Sequence, residues 1–413
     1  MLWRFSLYGF LKNQRYFEPF LLLVFLDKGL DYFTIGLLIS FRELAINLLE
    51  IPSGAIADLW GRRRAMMLSF GAYIASFLIF GLARDLSMFF GAMLLFAVGE
   101  AFRTGTHKAM IFSWLQQQGR AGERTRVYGY TRSWSKYGSA LSVTVAAIFV
   151  YLSDSYVYVF YLSVIPYLLG IINFIGYPPE LDGSKPATHA PRELVAHLRA
   201  GFHQAFAVVR LRRLIVESMG FQGVYEATKD YLQPVLQAAA IAAAAHWSQT
   251  RGMSQIQQST LLIGPLYLVL HLLAGTASRQ AHRVVEAAGD EDRAVHLLWL
   301  ADGIIFAGLA VAAFWRFEVA IIVAFVALDT LHNIWRPVQL GRFDTHGTEA
   351  QGATLLSIES QARRLTTVIA APLLGLAVDA VRASGTGGPF WPVGVLGLSV
   401  AMIFQFRRFQ PRR

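Results

Sequence analysis

Twenty acidic and basic side chains stand within, or at the edges of, long apolar stretches of this chain. They are Arg15, Glu18, Arg42, Glu43, Glu50, Glu100, Arg103, Lys108, Arg132, Lys136, Glu217, Glu226, Lys229, Asp230, Asp302, Asp329, Arg336, Glu359, Arg363 and Arg364, ten of each sign. A charge facing hydrocarbon at mid-helix costs about 2.5–3.5 kcal/mol. Twenty such exposures would exceed the roughly 5–15 kcal/mol margin of a fold. Most of these groups must therefore meet water or one another inside the protein. The chemistry open to them is ion pairing, recognition of a charged solute, and proton uptake by carboxylates in a low-dielectric setting.

Spacing sorts them. Glu100 and Arg103 stand at i, i+3, and Glu359 and Arg363 at i, i+4, so each couple is placed to pair along a helix. Either couple reads equally well as a structural ion pair or as a contact to solute. Arg132 and Lys136 are like charges at i, i+4, which is unfavourable unless an acid or an anion answers them. The plainer reading is that both snorkel toward water from near a helix end. Glu226, Lys229 and Asp230 precede Pro234, and Arg15 and Glu18 precede Pro19; proline permits a bend in a spanning helix. His107, His271 and His332 are placed either to relay protons or simply to hydrogen-bond. No cluster has metal-ligand spacing, and no metal or cofactor is expected. The chain has 0 Cys, which excludes a thiol nucleophile and a disulfide framework. It also lacks a Gly-x-x-x-x-Gly-Lys-Ser/Thr phosphate loop, so no ATP motor and no enzymatic activity are expected.

The elements that position these groups follow from composition. Of 413 residues, 55% are hydrophobic and 15% charged. Soluble domains run near 45–50% and about 25%. Helical spans of about 20 apolar residues are expected at 9–28, 33–56, 65–83, 87–115, 128–152, 156–176, 212–240, 256–279, 294–314, 318–340, 352–381 and 389–406. This is an all-α membrane protein of twelve spans, with no removed signal peptide expected. Arg62–Arg64, then Arg120, Arg124 and Arg126, and the Arg407–Arg413 tail fall after even-numbered spans. Even loops and both termini are thus expected on the cytoplasmic side. That topology accounts for the +10 net charge without nucleic acid.

Two halves are expected: a six-helix bundle over 1–178, a linker over 179–211 carrying an amphipathic helix at Arg192–Arg210, and a second bundle over 212–413. Internal similarity supports the division. Arg15–Leu21 parallels Asp230–Leu236 at an offset of 215. Glu100, Arg103 and His107 parallel Asp329, His332 and Arg336 at an offset of 229, each set on one helical face. Ser133 and Lys136 match Ser360 and Arg363, and Gly54 and Arg62 match Gly275 and Arg283.

The segment Gly54-x-x-x-Asp58-x-x-Gly61-Arg62-Arg63-Arg64 after the second span resembles the signature loop of the major facilitator superfamily. Leu59 stands where that family usually has a basic residue, and the second-half copy lacks the Asp. The resemblance covers the whole chain and implies two pseudo-symmetric six-helix bundles that rock by alternating access about a midplane site. By that carry-over, Gly54, Asp58, Gly61, Arg62 and Arg63 form a gating element, with Gly54 allowing close helix approach and Gly61 a tight turn. The resemblance makes spans 3, 6, 9 and 12 peripheral, and of the twenty charges only Asp302 falls in them.

The expected activity is secondary active transport of a small charged or zwitterionic solute, with protons as candidate coupling ion. The solute set is Arg15, Glu18, Glu100, Arg103, Lys136, Asp230, Gln233, Asp329, His332, Arg336 and Arg363; the proton-coupling set is Glu43, Glu100, Glu226 and Asp329. The expected partners are the small-molecule substrate, protons and the lipid bilayer of a bacterial inner membrane, with a monomer as the working unit. Drug or metabolite efflux is a second reading, weakened because Gly138–Ser142 carries no Pro. A non-transporting receptor or scaffold on the same fold is a third.

Overall fold

The computed structural model describes residues 1–182, 208–246, 250, 252–344 and 349–406, with the side chains of Asp58, Ala121, Thr125, Asp344, residues 349–354 and Phe406 outside that description. The expected amphipathic helix at 192–210 lies almost wholly outside the described residues. Among the described residues every regular element is helical.

In chain order the helices are α1 (Leu2–Leu11), α2 (Leu21–Asp27), α3 (Tyr32–Trp60), α4 (Arg62–Leu82), α5 (Leu86–Arg103), α6 (Thr106–Gln117), α7 (Arg124–Ser153) and α8 (Tyr158–Ile175). Then come α9 (Val209–Ser218), α10 (Val224–Thr228), α11 (Leu232–Ala244), α12 (Gln255–Ala288), α13 (Glu291–Phe314), α14 (Glu318–Asp344), α15 (Glu349–Ser384) and α16 (Trp391–Phe406). Nine spans among the described residues are long and apolar enough to cross a membrane, and Trp391–Gln405 is a shorter apolar one. The remaining two are broken helices, which completes the twelve.

A proline stands at both breaks. The first span was expected as one helix over 9–28, but α1 starts at Leu2 and stops at Leu11, and a 3-10 turn at Glu18–Phe20 leads into α2. Pro19 has no N–H and its ring clashes with the carbonyl four residues back, that of Arg15. The Glu18 N–H takes the Arg15 carbonyl instead, at 3.0 Å. In the seventh span Pro234 acts on Asp230 in the same way, and a 3-10 turn occupies Lys229–Tyr231. A π turn at Met219–Gly223 interrupts that span a second time.

Packing divides the chain into two compact units: Met1–Val24, Phe41–Pro191 and Ile263–Leu268 in one, and Phe25–Ser40, Arg192–Leu262 and Val269–Arg413 in the other. The first has an aromatic core. Phe70, Tyr73, Phe77, Phe160 and Phe174 are all buried. Gly99 makes room for the Tyr73 ring; a Cβ there would sit 2.8 Å from it. Helix α1 crosses α7 almost backbone to backbone, because a Cβ on Gly9 would fall 2.8 Å from the Thr131 carbonyl oxygen and one on Gly138 2.5 Å from that of Phe10.

The second unit is built around Phe221, which stacks on Trp335 at 4.7 Å and meets the edge of Trp299 at 5.0 Å. Its α3 segment lies hard against α15: a Cβ on Gly36 would fall 2.4 Å from the Ala371 carbonyl oxygen, and one on Gly375 2.2 Å from that of Tyr32. Only glycine fits such crossings.

Candidate functional site

In the first unit the break between α1 and α2 brings Arg15 and Glu18 to the end of α5. Arg15 lies 4.0 Å from Glu18 and 3.9 Å from Glu100. Glu100 pairs with Arg103, the couple that spacing predicts, and also accepts the Tyr73 hydroxyl. Arg103 Nε in turn reaches the Tyr73 oxygen at 3.4 Å. Two guanidinium groups and two carboxylates are thus gathered with one phenol. Tyr73 carries no charge and was not among the sequence candidates.

His107 does not continue this face, contrary to expectation. Helix α5 ends at Arg103, and Gly105 turns the chain with φ +77 before α6 begins at Thr106. His107 is instead stacked on Tyr8 at 3.7 Å, and its Nε2 lies 3.3 Å from the Tyr177 hydroxyl. Tyr177 donates to the Arg4 carbonyl at 3.1 Å, and burial pushes its phenol up, so it stays protonated.

Lys136 also stands apart from the Glu100 cluster. It lines a cavity of about 360 Å³ with Lys12, His107, Tyr128, Arg132 and Ser135. Lys12 was not among the sequence candidates; the α1–α7 crossing puts it there.

The second unit holds a second cluster. Tyr225 donates to Asp329 Oδ1 at 2.5 Å, and Asn333 Nδ2 lies 3.3 Å from the other carboxylate oxygen. His332 stacks on Tyr225 at 4.1 Å. Arg336 binds Glu359 at 2.8 Å and the Gln222 side-chain oxygen at 3.2 Å. The fully buried Glu359 therefore pairs across helices with Arg336, and not with Arg363 one turn along its own helix as spacing suggested. Glu226 pairs with Lys229 at 2.7 Å. Asp230 sits half-buried in the 3-10 turn and Gln233 is fully buried in α11. Tyr225, Asn333 and Gln222 were not foreseen. Glu43 is buried and held by its neighbour Arg42 at 2.8 Å.

The signature loop is partly as expected. Gly61 adopts φ +99 between α3 and α4, the left-handed conformation that its tight turn requires. Arg63 receives Asp182: its backbone N–H donates to Asp182 Oδ1 at 2.8 Å, and its guanidinium donates to the Tyr177 carbonyl at 3.0 Å. Arg62 reaches the Ser113 hydroxyl at 3.4 Å. A Cβ on Gly54 would meet nothing within 4 Å among the described residues, so the close approach expected there is absent. The Asp58 side chain lies outside the described residues. Among the described residues no group of acidic and histidine side chains could hold a metal ion.

The family model for the Major Facilitator Superfamily matches residues 13–340. No curated protein matches the chain. Among solved structures, nucleoside transporter NupG aligns with a TM-score of 0.78 at 13% identity, covering 100% of this chain and 99% of that one. The inward-open xylose transporter XylE from E. coli gives a TM-score of 0.66 at 14% identity, covering 100% and 96%. A POT family transporter in complex with a thioalcohol-conjugated peptide gives 0.61 at 14% identity, covering 98% and 96%.

Proposed function

Because this chain belongs to the Major Facilitator Superfamily, a family of membrane transporters, we propose that it moves a small charged or zwitterionic solute by proton-coupled alternating access. The observation that carries this reading is that each unit holds an interior cluster of mixed charge, one on Arg15, Glu100 and Arg103 and one on Asp329, Arg336 and Glu359. Mixed charge gathered inside spanning helices stabilises nothing that an apolar core would not stabilise as well, and marks a solute or proton path. Structures named for nucleoside, xylose and POT-family peptide transport share the fold, which supports a small polar cargo.

Asp329 and Glu100 are the proton carriers in this reading, each answered by a phenol that follows its protonation state by donating or accepting. Both termini and the Arg62–Arg64 loop lie on the cytoplasmic side of a bacterial inner membrane, by the excess of arginine in the even-numbered loops. The working unit is the monomer.

Reconstitution into liposomes tests this directly. Radiolabelled amino acids, nucleosides and organic acids are screened for uptake under an inward proton gradient. A cargo should accumulate, and accumulation should stop when a protonophore collapses the gradient. Glu100→Gln and Asp329→Asn should lose accumulation but keep exchange of cargo across the membrane. Accumulation indifferent to the protonophore overturns the coupling. Absence of any uptake, with unaltered cell phenotype in Glu100→Gln and Arg336→Ala, would favour the receptor reading.

A further inference from the structure

Two arginines of the second unit compete for Glu359, and only one obtains it. Arg336 on α14 takes the carboxylate across helices at 2.8 Å. Arg363, one turn along α15 from Glu359, goes without. Among the described residues Arg363 forms no hydrogen bond and no ion pair. The carboxylates close enough to act on its charge are Glu359 and Glu226. Each is held by another base, Glu359 by Arg336 and Glu226 by Lys229 at 2.7 Å. Arg342, deeper in the same unit, is taken by Glu217 at 2.6 Å. Arg363 thus brings a planar fork of N–H donors that no protein group uses.

The side chain is turned inward. Leu365, Ile369 and Leu376 form the exposed apolar edge of α15. At about 100° per residue, Arg363 lies roughly 120–160° round the helix from them. Thr367, on the same side as Arg363, is buried and donates to the Gly223 carbonyl at 3.4 Å, so this side packs on the seventh span. Glu226 and His332 both feel the Arg363 charge, and Nδ1 of His332 is enclosed without a hydrogen-bond partner. Arg363 itself is partly buried, and none of its three nitrogens is enclosed, so the fork opens on space that water or a solute can enter. A guanidinium left without an acid inside spanning helices is expensive and marks a solute path. The planar group that matches its fork, with two parallel bonds, is a carboxylate.

We propose that Arg363 is the anchor for a carboxylate group of the cargo, which seats on the guanidinium in a paired contact. The proposal rests on the transporter reading and narrows it: the cargo is a small carboxylic acid or amino acid, and its acid group is held from α15 while Arg336 stays bound to Glu359.

The test uses the full chain in non-ionic detergent, with thermal unfolding read at constant ionic strength set by sodium chloride. Succinate, benzoate and alanine are each titrated, with succinamide, benzamide and alaninamide as matches that lack the carboxylate. At least one of the three acids should raise the unfolding midpoint with saturation, and its amide should not. Arg363→Gln should raise the half-saturating concentration at least about ten-fold. Arg363→Lys, which keeps the charge without the fork, should raise it less. Because Arg363 binds nothing within the protein, Arg363→Gln should keep the acid-free midpoint within a few degrees of wild type. Arg336→Gln, which strands the buried Glu359, should lower that midpoint further.

An acid-free midpoint that falls as far in Arg363→Gln as in Arg336→Gln shows the side chain to be engaged within the fold and overturns the proposal. So does an equal response of wild type and Arg363→Gln, an equal response to an acid and its amide, or no response to any of the three acids. The liposome assay separates this proposal from the reading beneath it. Uptake of a cargo without a carboxylate, undiminished in Arg363→Gln, defeats the proposal while the transporter reading stands. Saturable stabilisation by an acid, lost in Arg363→Gln, with no uptake of any solute, keeps the site and defeats the transporter reading.

Discussion

The carboxylate of Asp379 on α15 accepts the backbone N–H of Phe33 at 2.7 Å, and that of Tyr32 at 3.3 Å, at the start of α3. The first N–H groups of a helix have no partner within it, and the helix dipole favours an anion there. The glycine crossing at Gly36 and Gly375 is what brings the two helices close enough for this bond. Asp379→Ala should weaken the cap by about 1–2 kcal/mol. Hydrogen exchange at the Tyr32 and Phe33 amides should then accelerate roughly ten-fold. Unchanged exchange would show that the bond contributes nothing.

The pair Arg342–Glu217 makes a different prediction. These side chains are 5% and 2% exposed and lie 2.6 Å apart. Asp292 and Gln339 each bind Arg342 at 2.8 Å. Removing one member of a buried pair costs about 3–5 kcal/mol, whereas replacing both with apolar groups is near neutral. Arg342→Met should therefore lower the unfolding midpoint sharply, and the double variant Arg342→Met with Glu217→Leu should recover most of the loss. A double variant as unstable as the single one would refute the pairing.

Acid should loosen two loops outside the spans. Asp85 is held below its ordinary value of 3.8 by the Ser87 hydroxyl first and the Met88 N–H second. Asp31 is lowered by the Thr34 side chain and backbone in the same way. A carboxylate whose folded pKa is depressed contributes stability above its unfolded value, and loses it as pH falls through the folded value. Protection of the Met88 and Thr34 amides should thus be constant above pH 3.8 and decline below it. In Asp85→Asn the decline at Met88 should vanish; if it persists, the cap is not its source.

Much of the architecture was legible in the residues, for a physical reason. Spans announce themselves through hydropathy, and the Gly61 turn through a residue type that few others can replace. The breaks at Lys12–Phe17 and Lys229–Tyr231 were not marked as breaks, although Pro19 and Pro234 were noted, because apolar content alone does not show where a proline empties a hydrogen bond. Pairings along one helix were recoverable when both partners shared it, as with Glu100 and Arg103. Glu359 misled because its partner Arg336 comes from another helix. Tyr73 and Tyr225 were overlooked because a phenol in an apolar stretch looks like filler until a carboxylate is seen beside it.

The wide turn at Met219–Gly223 bears on how Tyr225 is aimed. Each residue of an α-helix advances the side-chain direction by about 100°. A surplus residue therefore offsets everything beyond it by that angle, and the ring of Tyr225 meets Asp329 and His332 only with the surplus in place. Chain length at this point, more than residue type, sets the bearing of the phenol: shortening the turn by one residue would swing it away from both neighbours while leaving composition and hydropathy almost untouched.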